Sequence, residues 1–408
     1  MPQTSSRTRG APGRLGAALA TSVLLLLAAG VGGQDARGGA AGDLGVSVTN
    51  RLEIPRLGET VELRAAALAG RIPAAELPRL VVTDARTRAT LPSQAVDEDG
   101  DGRYDLVVFQ SDFAPGETRA FRLSRGEERK PARAEYRVYG RFVREREDDF
   151  AWENDRVAFR AYGPALETFA KEPLTSSAVD AWSKSTTRLV LNDWYLQDDY
   201  HVDHGEGGDF YPAGRTRGCG GSGLVIDGRL AVSKNFRESR VLASGPIRLV
   251  FELVYPEWEA GVKAVERKRV TLDAGSHFNR FESAYTVASA APSAPVRWAA
   301  GVRKAEGASV RVERARGLLR TWEYQGRYGD GGHLGCAVVM EPSQVVDATE
   351  AEGSQLLVAS TPAGQRATYY AGSGWDRSGQ FPDLEAWERH VEALARRLAS
   401  PLQVEIAP

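Results

Sequence analysis

The strongest constraint on the fold is a succession of segments in which apolar and polar residues alternate, each closed by a short turn cluster. In Trp152-Glu153-Asn154-Asp155-Arg156-Val157-Ala158-Phe159-Arg160-Ala161-Tyr162, Val157, Phe159 and Ala161 face one way while Arg156, Arg160 and Tyr162 face the other. That two-residue period belongs to a strand with one packed face and one polar face. Similar segments recur from Leu224 to Ile406, joined by turns such as Asp227-Gly228 and Asp273-Ala274-Gly275-Ser276. Their meander order predicts one large antiparallel sandwich over 135–408. Only Asp383 to Ala399 has a helical stripe, formed by Leu384, Trp387, Val391, Leu394 and Leu398.

Upstream, shorter strands at Val46–Asn50, Val61–Leu63, Arg79–Thr83, Leu106–Phe109 and Arg119–Leu123 predict a small β-sandwich over 44–126. The charged stretch 127–134, which contains Pro131, reads as a linker. The chain is thus expected to be all-β, in two parts with one C-terminal helix. Before it, Arg7, Arg9 and Arg14 precede an apolar run around Leu24-Leu25-Leu26-Leu27 and then small residues, so 1–33 reads as a signal peptide. Residues 34–43 read as a flexible leader. A secreted or periplasmic protein is expected, with no membrane association beyond the signal segment.

Charge narrows the partners. With 52 basic and 54 acidic residues there is no clustered positive field, which argues against nucleic acid. The 13 tyrosines and 8 tryptophans suit a protein that meets glycans. The two cysteines, Cys219 and Cys336, could close a disulfide in an oxidising compartment or remain buried thiols.

Titratable groups crowd into Tyr200-His201-Val202-Asp203-His204-Gly205-Glu206-Gly207-Gly208-Asp209-Phe210-Tyr211. Glycine at that density is poor core material and suits a site loop. Two imidazoles and nearby carboxylates in a loop could hold a divalent metal such as Zn²⁺ or move protons, which makes His201, His204, Tyr200, Glu206 and Asp203 the catalytic candidates. Trp194, Tyr195 and Tyr211 could stack on a sugar, while Arg215 and Arg217, beside Gly218-Cys219-Gly220-Gly221, could cradle a carboxylate. Arg160 joins them as a polar-face residue. If Cys219 and Cys336 are bonded, His333 is carried to this loop and a His201, His204, His333 metal site follows. Separately, Asp97, Asp99, Asp101 and Asp105 space oxygen ligands for a structural Ca²⁺, although the closing bidentate acid is missing because Val108 stands in its place. The zinc-protease, Walker and G-x-S-x-G patterns are absent, and no nucleotide cofactor is indicated.

Taken together, Asp148 to Arg160, Tyr162-Gly163-Pro164-Ala165-Leu166, Tyr200 to Gly207, Thr216 to Gly221, Leu272 to Ser276, Asn279-Arg280-Phe281-Glu282 and Gly332 to Cys336 resemble a family of secreted bacterial proteins known as domain of unknown function 4861. The resemblance implies a supersandwich like that of galactose mutarotases and polysaccharide lyases, and a place in glycan utilisation. Three chemistries follow as expectations. In β-elimination of a uronate-containing glycan, the arginines or a metal would neutralise the carboxylate while His201, His204 or Tyr200 moves protons. A glycosidase would draw its two carboxylates from Glu153, Asp155, Asp203 and Glu206. A mutarotase-like epimerase would use one histidine and one acid. A non-catalytic glycan-binding protein is the alternative outside enzymology.

Overall fold

The computed structural model describes residues 43–407 apart from 198, 260, 289–293 and 363. The expected signal peptide and most of the leader lie outside the described residues. Two sheets build the N-terminal part. One runs Gln403–Ile406, Leu44–Thr49, Thr118–Arg125, Leu80–Asp84 and Thr90–Leu91; the other runs Arg56–Arg64, Leu106–Phe113 and Ser93–Val96. The alternation in Leu44–Thr49 is literal, since Leu44, Val46 and Val48 are buried and their neighbours are not. These residues meet Val61, Leu63, Val107, Phe109 and Phe121 in one core. Gln403–Ile406 pairs with Leu44–Thr49. The last strand is therefore part of the N-terminal sheets rather than the large sandwich with which its position in the sequence groups it.

Three antiparallel sheets make up the rest. The first carries Gly207–Gly208, Val179–Lys184, Ala158–Ala161, Asp149–Asn154 and Val138–Val143 in that order. A second is centred on Cys219–Ile226, Val296–Arg303 and Ser354–Thr361, and the third is a nine-stranded sheet that includes Arg248–Val254, Lys263–Asp273, Phe278–Val287 and His333–Met340. The all-β class is thus the observed one. One core joins all three sheets: Phe150, Trp152 and Phe159 come from the first, Trp298 and Leu357 from the second, Phe251 and Phe281 from the third. Phe150 stacks on Phe251 at 4.4 Å. Each such side chain contributes about 1.5–3 kcal/mol when fully buried.

The helix Leu384–Ala399 begins where its stripe begins, because the Asp383 side chain accepts from Ala386 N at 2.8 Å. It buries Trp387 and Val391 against Phe278, Leu318 and Val339 of the nine-stranded sheet. Glycine makes the seat: a Cβ on Gly335 would lie 2.4 Å from the Trp387 indole nitrogen. Trp387→Ala would empty that seat at a cost of about 3–5 kcal/mol.

Candidate active site

The first sheet of the large part presents its polar residues on one face. Arg160 stands directly opposite Asp180 on the neighbouring strand. Asp149 opens the strand on the other side, and its Oδ1 accepts from Gly163 N at 2.7 Å. Asp209 arrives from the glycine loop. Gly207 adopts φ +111°, and a Cβ there would fall 2.1 Å from Ser183 O, so only glycine lets the loop lie this close to the sheet edge. The guanidinium of Arg160 consequently lies 2.7 Å from Asp180, 3.2 Å from Asp209 and 3.7 Å from Asp149.

All four residues are buried, and one cation faces three carboxylates. Burial pushes Asp149 up to about 7, and it does the same to Asp180, where the neighbouring Asp209 charge adds to the effect. Asp209 rises to about 6, again by burial, with Arg160 opposing the shift. The set therefore retains protons into the neutral range, and these belong to the group rather than to one member. Asp149 Oδ2, Asp180 Oδ1, Asp209 Oδ2, and Arg160 Nε and Nη1 are buried without a hydrogen-bond partner. Buried polar atoms are normally satisfied, so this concentration is unusual.

A cleft of about 100 Å³ opens over the set, lined among others by Arg146, Asp180, His201, Asp209, Arg327 and Tyr328. His201 Nδ1 lies 2.7 Å from the Asp209 carbonyl oxygen. The imidazole stacks on Tyr328, with centroids 4.3 Å apart and planes 17° apart. Burial lowers the pKa of this ring below its ordinary 6.5, so it is neutral at neutral pH. Behind the cleft, Trp182 stacks on both Tyr200 and Trp194, at 5.4 and 5.5 Å. The Tyr200 hydroxyl accepts from Arg146 Nε.

Of the residues picked out by sequence, His201, Arg160 and Tyr211 line the cleft, and Tyr200 supports it through Arg146. The others go elsewhere. His204 is exposed, 3.7 Å from Asp199. Glu206 pairs with Arg188 at 2.7 Å. Asp203 closes its own turn by accepting from Gly205 N and Gly207 N. Arg215 is exposed. Arg217 is buried, donating to Ser177 Oγ at 3.1 Å, so it braces the interior rather than lining the cleft. Trp194 and Tyr195 are buried in an aromatic cluster, which leaves no open face for a sugar. Among the glycosidase candidates, Glu153 is sealed against Lys184, and Asp155 binds Arg137.

The three-histidine metal site does not assemble. His333 lies 3.1 Å from Asp376 and parallel to Trp322, so each histidine has a different partner. Among the described residues, the one convergent set of metal-ligating types is Asp97, Asp99 and Asp105, with ligand atoms within 4.8 Å of one another. Asp101 stands apart from it and accepts from Arg103 N. Asp97 accepts from Gly100 N and Gly102 N, and Asp105 from Glu98 N, so these oxygens already hold the turn together. Cys219 and Cys336 are buried free thiols. They nevertheless come close, since Cys219 Sγ donates to Gly372 O at 3.1 Å and Cys336 is paired with Ser373. The two glycine-rich segments therefore do meet, through Tyr328 and His201 rather than through His333.

Sequence reasoning missed Asp149, Asp180, Asp209, Arg146, Arg327 and Tyr328. For Asp180 a signal exists: it is a lone charge inside the apolar stretch Ala178-Val179-Asp180-Ala181-Trp182. A carboxylate there must be buried, and a buried carboxylate needs a cation or a proton.

Fold and site together define an all-β, multi-sheet protein with an acid-rich, histidine-capped cleft. The chain belongs to the family described as domain of unknown function (DUF4861), whose profile matches residues 48–404. It is 33% identical over 378 residues to "Uncharacterized protein P7" of Formosa agariphila, covering 88% of this chain and 93% of that protein. Two solved structures from Enterococcus faecalis are similar at low level. An alpha-mannosidase matches at 10% identity and TM-score 0.43, and a protein of glycosyl hydrolase family 38 at 11% identity and TM-score 0.43. Each match covers 90% of this chain but only 46% and 48% of the respective structures, so the chain spans under half of either.

Proposed function

We propose that the protein is a carbohydrate-active enzyme that works by acid–base chemistry in the Arg160 cleft, with β-elimination of a uronate-containing glycan as its reaction. The observation that carries this reading is a neutral imidazole set beside buried carboxyls that retain protons. The Asp209 carbonyl can only accept, so His201 Nδ1 carries the hydrogen and Nε2 keeps the free lone pair. His201 is then the base that removes the proton α to the uronate carboxylate. A carboxyl of the Asp180–Asp209 pair is the acid that protonates the departing glycosidic oxygen as the double bond forms. Charge building on the substrate carboxylate meets Arg146 and Arg327. Arg160 is already surrounded by carboxylates, so its part is to set their proton affinity. Tyr328, the exposed aromatic of the lining, gives the cleft a ring that suits a sugar.

Hydrolysis fits less well. It needs two carboxyls on opposite sides of the scissile bond, whereas Asp180 and Asp209 both converge on Arg160 Nη2. The test is to incubate the protein with uronate-containing and neutral oligosaccharides while following ultraviolet absorbance and product mass. We expect the absorbance of an unsaturated uronate, lost in His201→Gln. Products that gain water, epimerised sugars without cleavage, or binding without turnover on every glycan would overturn the elimination reading.

A further inference from the structure

The cleft is small beside the 300–1,000 Å³ common for ligand pockets, so it has room for about one sugar ring, and the remainder of a glycan must lie on the surface around it. One surface is joined to it by a hairpin loop. The strands Leu318–Tyr324 and His333–Met340 form a hairpin whose loop carries Arg327 and Tyr328 into the cleft. Trp322 and Tyr324 lie two residues apart and so share a face, and His333 stands directly opposite Tyr324 in the register. The helix Leu384–Ala399 covers this face as far as Gly335, where Trp387 occupies the space. The next rung, Tyr324 with His333, is left open: Tyr324 is 55% exposed and the His333 side chain 46%. Trp322 lies parallel to His333 at 5.9 Å and 4°, and Tyr324 flanks it at 5.4 Å.

The rung is also fixed in place. Asp376 accepts from His333 N at 2.8 Å and lies 3.1 Å from its Nδ1, while the Tyr324 hydroxyl donates to Asp330. Gln325 N donates to Gly332 O at 2.7 Å, Trp375 Nε1 to Gly331 O at 2.7 Å, and Arg377 binds Asp330 at 2.6 Å. Loop and stem therefore form a rigid piece. The four residue steps from Tyr324 to Tyr328 span at most about 14 Å even if fully extended.

We propose that Tyr324 and His333, backed by Trp322, form a second sugar-stacking subsite for a neighbouring residue of the glycan whose reacting residue occupies the cleft. This assignment rests on the glycan reading of the cleft, and it makes the substrate an oligomer or polymer rather than a free sugar. Rings so placed favour a sugar's apolar face, and the His333 and Tyr324 edges reach its hydroxyls.

The test is calorimetric titration of the full chain with glucuronate-containing oligosaccharides from disaccharide to hexasaccharide, on wild type, Tyr324→Ala, His333→Ala and His201→Gln. Tyr324→Ala should weaken hexasaccharide binding about tenfold and leave disaccharide binding unchanged, and His333→Ala should act in the same sense. His201→Gln should keep the gain in affinity with length. Length-dependent binding that needs Tyr324 but comes without turnover would uphold this subsite while removing the elimination reading. Length dependence untouched by Tyr324→Ala and His333→Ala, or no binding of any member of the ladder, would overturn it.

Discussion

Two buried charge clusters share the same pair of strands and behave in opposite ways. Glu153 and Lys184 stand four residues beyond Asp149 and Asp180 respectively, on the same face. Lys184 Nζ lies 2.7 Å from Glu153 Oε2 and donates to Asn154 O at 2.6 Å, while Glu153 also accepts from Val190 N and Leu191 N at 2.9 Å. One charge faces one charge, and both carboxylate oxygens are engaged. Around Arg160, one cation faces three acids, and five polar atoms of the set have no hydrogen-bond partner. Burial of charge is common to the two clusters, so it cannot be what marks a site. Imbalance and open valence can.

The contrast is sharpest in activity. His201→Gln should lower kcat/KM by on the order of 10²–10⁴ with little change in stability, because it removes a base and leaves the fold's packing. The wild-type pH profile should be a bell: activity falls in acid as His201 protonates below its ordinary 6.5, and in alkali as the Asp180–Asp209 pair, raised to about 7 and about 6, loses its proton. A single-limbed profile would remove one partner from the mechanism.

The sealed pair predicts the reverse. Glu153→Gln strands the Lys184 charge in the interior and leaves one of the two amides at the start of the helix Leu191–Gln197 without its acceptor, so unfolding in urea should show a loss of about 3–5 kcal/mol. Whatever protein remains folded should keep the pH profile of the wild type. A loss below 1 kcal/mol would mean that the pair is as dispensable as a surface bridge.

Stability against pH reports on the Arg160 cluster. The folded state holds protons on Asp149, Asp180 and Asp209 that an unfolded chain releases near 3.8. The folded pKa is raised, so this stabilisation is complete below 3.8 and is lost as pH rises to about 7, at about 1.4 kcal/mol per pH unit for each proton involved. Asp180→Asn removes one such proton and should flatten the decline in denaturation midpoints measured between those limits. An unchanged slope would show that Asp180 is ionised in the folded protein throughout that range.

Much of the fold could be read because strands announce themselves locally, by alternation in Leu44–Thr49 and by the stripe and cap of Leu384–Ala399. The site could be read only in part. His201 and Arg160 stood out, one by residue type and the other by facing. Asp149 and Asp180 are single acids in strands with both faces buried, and their meaning comes from Arg160 across the sheet and Asp209 across a loop, neither of which is local information. Arg217 misled for the same reason: beside glycines it resembles an anion cradle, and only the packing of the second sheet shows it enclosed. Tyr328 sits over a hundred residues from the histidine on which it stacks.

The smallest expected effect tests that distinction most directly. His204 and Glu206 belong to the same conspicuous loop as His201 and are of the types that catalysis uses, yet one side chain is half exposed beside Asp199 and the other meets an exposed arginine. His204→Ala and Glu206→Gln should each change stability by no more than about 0.5 kcal/mol, as surface substitutions do. They should also leave kcat/KM within a factor of about two, since 0.5 kcal/mol corresponds to little more than that in rate. If either matched the loss in His201→Gln, the chemistry would have to move from the buried carboxyls to the exposed loop, and the charge imbalance around Arg160 would lose its claim to mark the site. If both are silent while His201→Gln is not, the working boundary runs between His201 and His204, where the chain turns from the cleft to the surface.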